Sequence, residues 1–531
     1  MTSGTALAEE SAGATTVQPL RPTRAWSGWL VFLTSFTGFC TLLLIRSHDL
    51  FTRVVYEEGD LAANSILTLQ AKHFELLVGN YSRMGFSHPG PGFMYVQAFG
   101  EWLFHDVVGI VPSPWNGQAV AILVMNAFFL AATVLVISAW LRSWTAVAVP
   151  SGTILAYLAL SDMLIQHPDP GNTLVASTWM PDAYFAPFLL LIVAATSLAA
   201  GRAQDLWAVA ISGGLLVHGH AEFLFFVPVI VLTAFAALFI GNRIRTGSLR
   251  SGGKRDWLVF SGIIAVFALP MVLNLILNWP GEFAGYLTYG GHNEPHPARE
   301  AIRYTLLFWA MPRKLGLALA AGLILIVVAM ALRLGRRVPI LWTGAAMAVV
   351  VSGLFAFYAK VGIDLLGETY IGQFYRAVPL LLWLLVGVGL CALLEQVRLR
   401  AVVWGFAAVV LAFGLVAGAT SPALVNRRLN FPEMPTVLAA LEGRAGDRVI
   451  VLNLRQSFAW AEAVPIVITG TRQGRRVCLE QPEYEYLVTP RFVCTADEVS
   501  GGERFIVSRR DDLPANPKVF ARLGPSDVLL P

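Results

Sequence analysis

Charge is what this sequence has least of. Only 14% of its 531 residues are Asp, Glu, Lys or Arg, where soluble domains carry roughly a quarter. Hydrophobic residues make up 56% of the chain, and mean hydropathy is +0.63. A deficit of that size points to a membrane protein before any window is read. The formal net charge is only +4, and no arginine run is dense enough for a phosphate-backbone footprint, so nucleic acid is not an expected partner. Cysteine is scarce as well: there are four, with no CxxC or zinc spacing. Cys40 and Cys391 lie in apolar runs as packing residues, whereas Cys478 and Cys494 lie in a polar tail and can pair if that tail is exported. A glycine-rich phosphate loop, a small-x-small cleavage site and an inverted half-to-half repeat are also missing.

What the chain has in quantity is long apolar runs. Residues 1–25 are polar, end with Arg21 and Arg24, and read as a disordered cytoplasmic lead; Trp26 to Ile45 follows as an uncleaved first span. Further runs able to cross about 30 Å of hydrocarbon fall near 117–140, 144–160, 183–200, 222–240, 257–277, 315–333, 339–358, 377–395 and 402–420. Two shorter runs, 92–108 and 206–218, fit either way. Basic clusters at Arg243 to Arg255, Arg333 to Arg337 and Arg398 to Arg400 belong in the cytoplasm. The pattern closes with eleven spans, the N-terminus inside, the C-terminus outside, and 92–108 partly embedded. The expected architecture is an all-α polytopic membrane domain over 26–420 with a small extracytoplasmic α/β domain over 421–531, in the plasma (inner) membrane. In that tail, 434–444 and 456–468 read as helices, and 447–454, 476–479 and 505–508 as strands.

The first external loop, residues 46–92, carries the densest chemistry. It opens with Glu57, Glu58 and Asp60, continues with Leu61, Ile66, Leu69, Phe74 and Leu77 at helical spacing, and closes with Ser87-His88-Pro89-Gly90-Pro91-Gly92. Carboxylates at a membrane rim are costly to hold and signal function by default. The apolar spacing predicts a helix lying along the interface, with Lys72 and His73 on its polar side. The bland alternatives are a chain exit marked by Glu57 and a dipole partner in Asp60. Prolines stiffen the closing turn, glycines let backbone N–H groups approach a ligand, and Arg83 and His88 suit phosphate. Elsewhere, His218, His220 and Glu222 form a weak metal candidate, set against hydrogen-bonded rim residues. The stretches 166–170, 179–182 and 289–296 are further external loops. Arg299 and Arg303 share a helix face, and they, like Tyr370 and Arg376, reach either phosphate or lipid headgroups.

An acidic motif in the first external loop, an amphipathic helix and a His-Pro turn leading into an apolar helix resemble the GT-C superfamily of integral-membrane glycosyltransferases. The resemblance rests on residues 56–98 and on overall architecture, with Pro-Gly-Pro standing where better-known members have Pro-Pro. It implies transfer of a sugar from a polyprenyl-phosphate donor to an extracytoplasmic acceptor in one inverting displacement. Asp60, or alternatively Glu58, would be the general base. Arg83, His88, Lys72, Arg376 and Arg303 would hold donor phosphate, with Mg or Mn as an optional cation. A lipid-linked saccharide flippase and a membrane acyltransferase are the rival classes. The flippase would place charge in mid-helix, and the acyltransferase would need an intramembrane histidine.

Overall fold

The computed structural model describes residues 28–142, 144–164, 174–248, 251–290, 294–397, 399–420, 431–513 and 516–531. The first part of the membrane body contains α1 (Gly28–Arg46), α2 (Gly59–Lys72), α3 (Gly92–Gly100), α4 (Pro114–Ser138), α5 (Thr145–Leu164), α6 (Met180–Ala183), α7 (Phe185–Ala199) and α8 (Leu206–Gly219). It continues through α9 (Phe223–Thr246), α10 (Lys254–Leu277), α11 (Phe283–Gly290), α12 (Ala298–Leu307), α13 (Arg313–Leu334), α14 (Ile340–Val361), α15 (Ala377–Gln396) and α16 (Arg400–Thr420).

Among the described residues nine stretches are long and apolar enough to cross a membrane: α1, α4, α6 with α7, α9, α10, α13, α14, α15 and α16. The shorter apolar part of α5, Thr145–Ser161, and the 14-residue α8 bring the helices to the eleven expected. The protein is a multi-pass membrane protein. Helices α4 and α7 are buried almost all round, while α10 exposes nearly its whole surface, which separates the centre of the bundle from its lipid-facing edge. Residues 92–108 do not form a span. Helix α3 passes into a π-helical turn, Glu101–Val107, a rare element frequent at functional sites.

The tail folds into α17 (Met434–Ala445), α18 (Trp460–Arg472), α19 (Glu485–Val488) and α20 (Ala496–Gly501) around a five-stranded sheet. Its strands, β1 (Ile450–Leu454), β2 (Val477–Leu479), β3 (Glu503–Arg509), β4 (Val519–Leu523) and β5 (Ser526–Leu529), lie in the order β2-β1-β3-β5-β4. Strand β1 runs parallel to β2 and β3, with α18 as a crossover, and the β4–β5 hairpin adds antiparallel to β3. Five tail elements match the sequence expectation; the hairpin does not, because 519–529 lacks a continuous apolar run. Cys478 and Cys494 form a disulfide with Cα atoms 5.1 Å apart.

Helix α2 differs from expectation in one respect that matters. It does not lie on the interface with a face to lipid. Leu61, Leu67 and Ala71 pack into the membrane core, and Ala62, Ala63 and Ile66 pack into the core of the C-terminal domain. Full burial of each Leu or Ile side chain is worth about 1.5–3 kcal/mol, so the helix is held from both sides by protein.

Candidate functional site

Asp60 lies in the first turn of α2, just after Gly59, whose φ of +47° is open to glycine without strain. Its two carboxylate oxygens are both engaged. Tyr81 donates its hydroxyl to Oδ1, and Trp179 donates Nε1–H to Oδ2 at 2.8 Å. Asp60 lines a cavity of about 500 Å³ together with Asn64, Asn80, Ser82, Arg83, His88, Trp179, His220, Asp364 and Tyr370. The first loop, the α6 turn, the α8–α9 connection and the stretch before α15 thus supply one wet pocket. The mouth is completed by Phe458, Trp460 and Tyr486 of the C-terminal domain.

Arg83 is fixed by Asp364, whose two oxygens each accept from Nη2 at 2.7 Å. Burial works against its charge, but Tyr370 and Asp364 outweigh that and raise its pKa, so the guanidinium stays cationic. His88 is buried and stacks on His220 with ring centres 4.0 Å apart. Its Nδ1 accepts the Ala221 N–H, and the Nδ1 of His220 accepts the Glu222 N–H, both at 3.3 Å. Each ring therefore keeps its proton on Nε2. Burial pushes the His88 pKa well below the usual histidine range, with His220 adding to the effect, and burial brings His220 to about 4. Two neutral N–H donors stand side by side. Glu222 is pushed up to about 8 by burial, against a hydrogen bond from Tyr358, and is protonated at neutral pH.

Several expected residues go elsewhere. Lys72 turns away from the cavity and pairs with Glu101 at 3.0 Å and with Asp106, because α2 carries it toward the π-helical turn. Arg303 is exposed on α12, outside the pocket lining. Arg376 is fully buried at the start of α15, its carbonyl accepting from Tyr157 at 2.8 Å, so it is no headgroup anchor. Glu57 is buried in an ion pair with Arg472 of α18, which makes it structural rather than a marker of chain exit. Glu58 occupies the N-cap position of α2, makes no capping hydrogen bond with its side chain, and does not line the pocket.

The metal candidate does not assemble. His218 donates from Nε2 to the Phe267 carbonyl at 2.6 Å and accepts the Gly92 N–H on Nδ1 at 3.0 Å, which occupies both nitrogens. Among the described residues no group of three or more His, Cys, Asp or Glu could hold a metal ion. The same contacts revise the role of the proline-glycine turn. A Cβ on Gly90 would fall 2.5 Å from the His218 ring, so these glycines admit an imidazole, not a ligand. Residues 166–170 and 291–293 lie outside the described residues. The His88–His220 pairing, the Trp179 bond to Asp60 and the aromatic edge of the tail were not foreseen from sequence. Only the nearness of Trp179 to Pro181-Asp182 in an external loop hinted at the second of these.

No protein-family profile matches the chain, and no curated protein matches its sequence. Solved structures do. The chain is similar to ArnT from Cupriavidus metallidurans in the apo state, with 13% identity, a TM-score of 0.56, and coverage of 95% of this chain and 98% of that one. It also matches the Archaeoglobus fulgidus oligosaccharyltransferase in complex with Zn and sulfate, at 11% identity and a TM-score of 0.43, over 90% of this chain and 68% of that one. The ArnT likeness runs over nearly the full length of both proteins and gives this chain the GT-C fold.

Proposed function

We propose that the protein is a membrane glycosyltransferase that moves a sugar from a polyprenyl-phosphate donor to an acceptor outside the cytoplasm, with inversion. The observation that carries this reading is the gathering of Asp60, Arg83, His88 and His220 around one cavity beneath the C-terminal domain. Asp60 takes the proton of the acceptor hydroxyl as that oxygen attacks the anomeric carbon. The bond from that carbon to the phosphate oxygen breaks, and its electron pair leaves with the polyprenyl phosphate. The Nε2–H groups of His88 and His220, with the Arg83 cation, donate to the departing phosphate oxygens. Tyr81 and Trp179 hold the carboxylate in place and leave its outer lone pairs for the incoming proton. The residues expected to hold a divalent cation do not converge, so no step is routed through one.

Charge placement supports the orientation. Asn116, at the start of α4, donates to the Leu50 and Arg53 carbonyls of the first loop, both at 2.7 Å. The far end of α4 therefore lies at the opposite face, where Arg142, Arg202 and Arg337 line a cavity of about 190 Å³. Basic residues mark the cytoplasmic side, which leaves the cavity with Asp60, the C-terminal domain and its disulfide on the outer side.

The test is direct. Purified protein in lipid nanodiscs is given a panel of radiolabelled polyprenyl-phosphate sugars, and free polyprenyl phosphate and the anomeric configuration of the product are followed. Release of polyprenyl phosphate with an inverted product is the expected result; no turnover with any donor rejects the reading. Acyl transfer would need a free imidazole within the membrane; both nitrogens of His218 are taken, and His220 lies in the connection between α8 and α9 rather than within a span.

A further inference from the structure

The cavity has a wall that proton transfer and phosphate capture do not use. Phe458, Trp460 and Tyr486, all from the C-terminal domain, line it. Phe458 is 70% exposed and Tyr486 36%; among the described residues of that domain, only Val519 is a further exposed large apolar side chain. Exposed aromatic rings concentrated at one cavity, on an otherwise well-packed domain, call for an occupant.

Their placement says where it sits. The indole of Trp460 lies 3.8 Å from the point where a Cβ on Gly59 would stand, next to Asp60 in the chain. The ring of Tyr486 meets Tyr81 edge-on at 5.8 Å, and Tyr81 is bonded to Asp60. Across the cavity Trp179 and Tyr370 pack at 5.1 Å. Asn64, Asn80 and Ser82 add amide and hydroxyl groups to the lining of the same cavity. Flat apolar faces interleaved with neutral hydrogen-bonding groups match a sugar ring, whose C–H faces stack and whose hydroxyls bond. Arg83 is the single Arg or Lys among the described residues that line the cavity, and the donor phosphate takes it, so a phosphorylated lipid headgroup as acceptor would meet no second cation there.

We infer that the acceptor hydroxyl belongs to a saccharide, seated against Phe458, Trp460 and Tyr486 with its nucleophilic oxygen toward Asp60. The inference rests on the glycosyltransferase reading and names the substrate class of the same site. With a donor that is turned over, transfer is measured to a panel of methyl glycosides and trisaccharides, to a serine peptide, and to phospholipid vesicles. Glycosides or trisaccharides are expected to accept the sugar. Trp460→Ala and Phe458→Ala should then raise the KM for that acceptor at least tenfold while donor KM stays within twofold, and Trp460→Phe should restore most of it. Phe458 is solvent-exposed, so its alanine variant tests the idea without disturbing the core. Transfer to the peptide or the vesicles alone, or equal changes in donor and acceptor KM, overturns the saccharide assignment. Failure of the unmodified protein to release polyprenyl phosphate from any donor counts against the glycosyltransferase reading itself.

Discussion

Arg472 and Glu57 stand 415 residues apart in the chain and meet in a largely buried ion pair. Arg472 also reaches Glu101 at 3.1 Å, and Glu101 pairs with Lys72, which pairs with Asp106. The C-terminal domain is thereby fastened to the first loop and to the π-helical turn. Removing one partner of a buried pair leaves an uncompensated charge and costs about 3–5 kcal/mol. Arg472→Ala is expected to lower the thermal midpoint and to speed trypsin cleavage between the membrane body and the tail, as followed by gel. Unchanged cleavage would show that the pair does not hold the domains together.

Asp60→Asn should lower transfer by about 10²–10⁴-fold, the usual weight of general-base catalysis, while donor binding persists. Glu58→Gln should have a smaller effect, since Glu58 does not line the pocket. The check is initial rate beside equilibrium binding of labelled donor. Full activity in both variants would remove the base from this loop.

His220→Phe keeps the stacked ring but loses the N–H. A single hydrogen bond to a charged group contributes about 1.5–3 kcal/mol, so affinity for polyprenyl phosphate as a product inhibitor should drop at least about tenfold. His88→Phe should behave alike. Inhibition constants measured across both variants decide this, and equal values for variant and unmodified protein would exclude the pair from phosphate binding.

Glu222 gives a pH signature. Burial raises its folded-state pKa from the ordinary carboxylic acid range to about 8, so the folded state keeps a proton that the unfolded chain releases. Stability is therefore fully present below the unfolded value and falls as pH rises toward about 8. Glu222→Gln should remove that decline. Thermal midpoints from pH 5 to pH 9 should separate the two proteins progressively and stop diverging above pH 8. Parallel profiles would mean that Glu222 is charged throughout.

The Cys478–Cys494 bridge closes a 16-residue separation, for which loop entropy gives about 3 kcal/mol. Intact mass spectrometry under non-reducing conditions should find it formed. A cysteine placed at residue 500 should be labelled by a membrane-impermeant maleimide from the outer side. Labelling only from the cytoplasmic side would invert the proposed topology.

Much of this architecture was legible in the sequence because apolar length reports directly on span. The β1 strand and the α18 crossover were readable for a similar reason: within 447–454 the run from Val449 to Leu454 is apolar apart from Asn453, and 456–468 reads as a helix overlapping Trp460–Arg472. Contacts between distant segments were not. An isolated loop gives Glu57 no partner, so its commitment to Arg472 was invisible, and apolar spacing in α2 cannot say whether lipid or a second domain covers it. The turn at Pro89 to Gly92 was recognisable as a turn, but its glycines answered to His218, more than 120 residues onward (|i−j| of 126 for Gly92). Local pattern encodes elements; pairing across the fold has to be seen.

Because α2 is clasped by protein on both flanks, the carboxylate it carries has no direct mechanical link to the acyl chains. Stretching or thinning the bilayer should act on the peripheral spans such as the exposed α10 before it reaches the Asp60–Tyr81–Trp179 arrangement. Turnover should accordingly vary little between thin and thick membranes of equal headgroup composition, and sensitivity to lipid should enter through donor access rather than through chemistry.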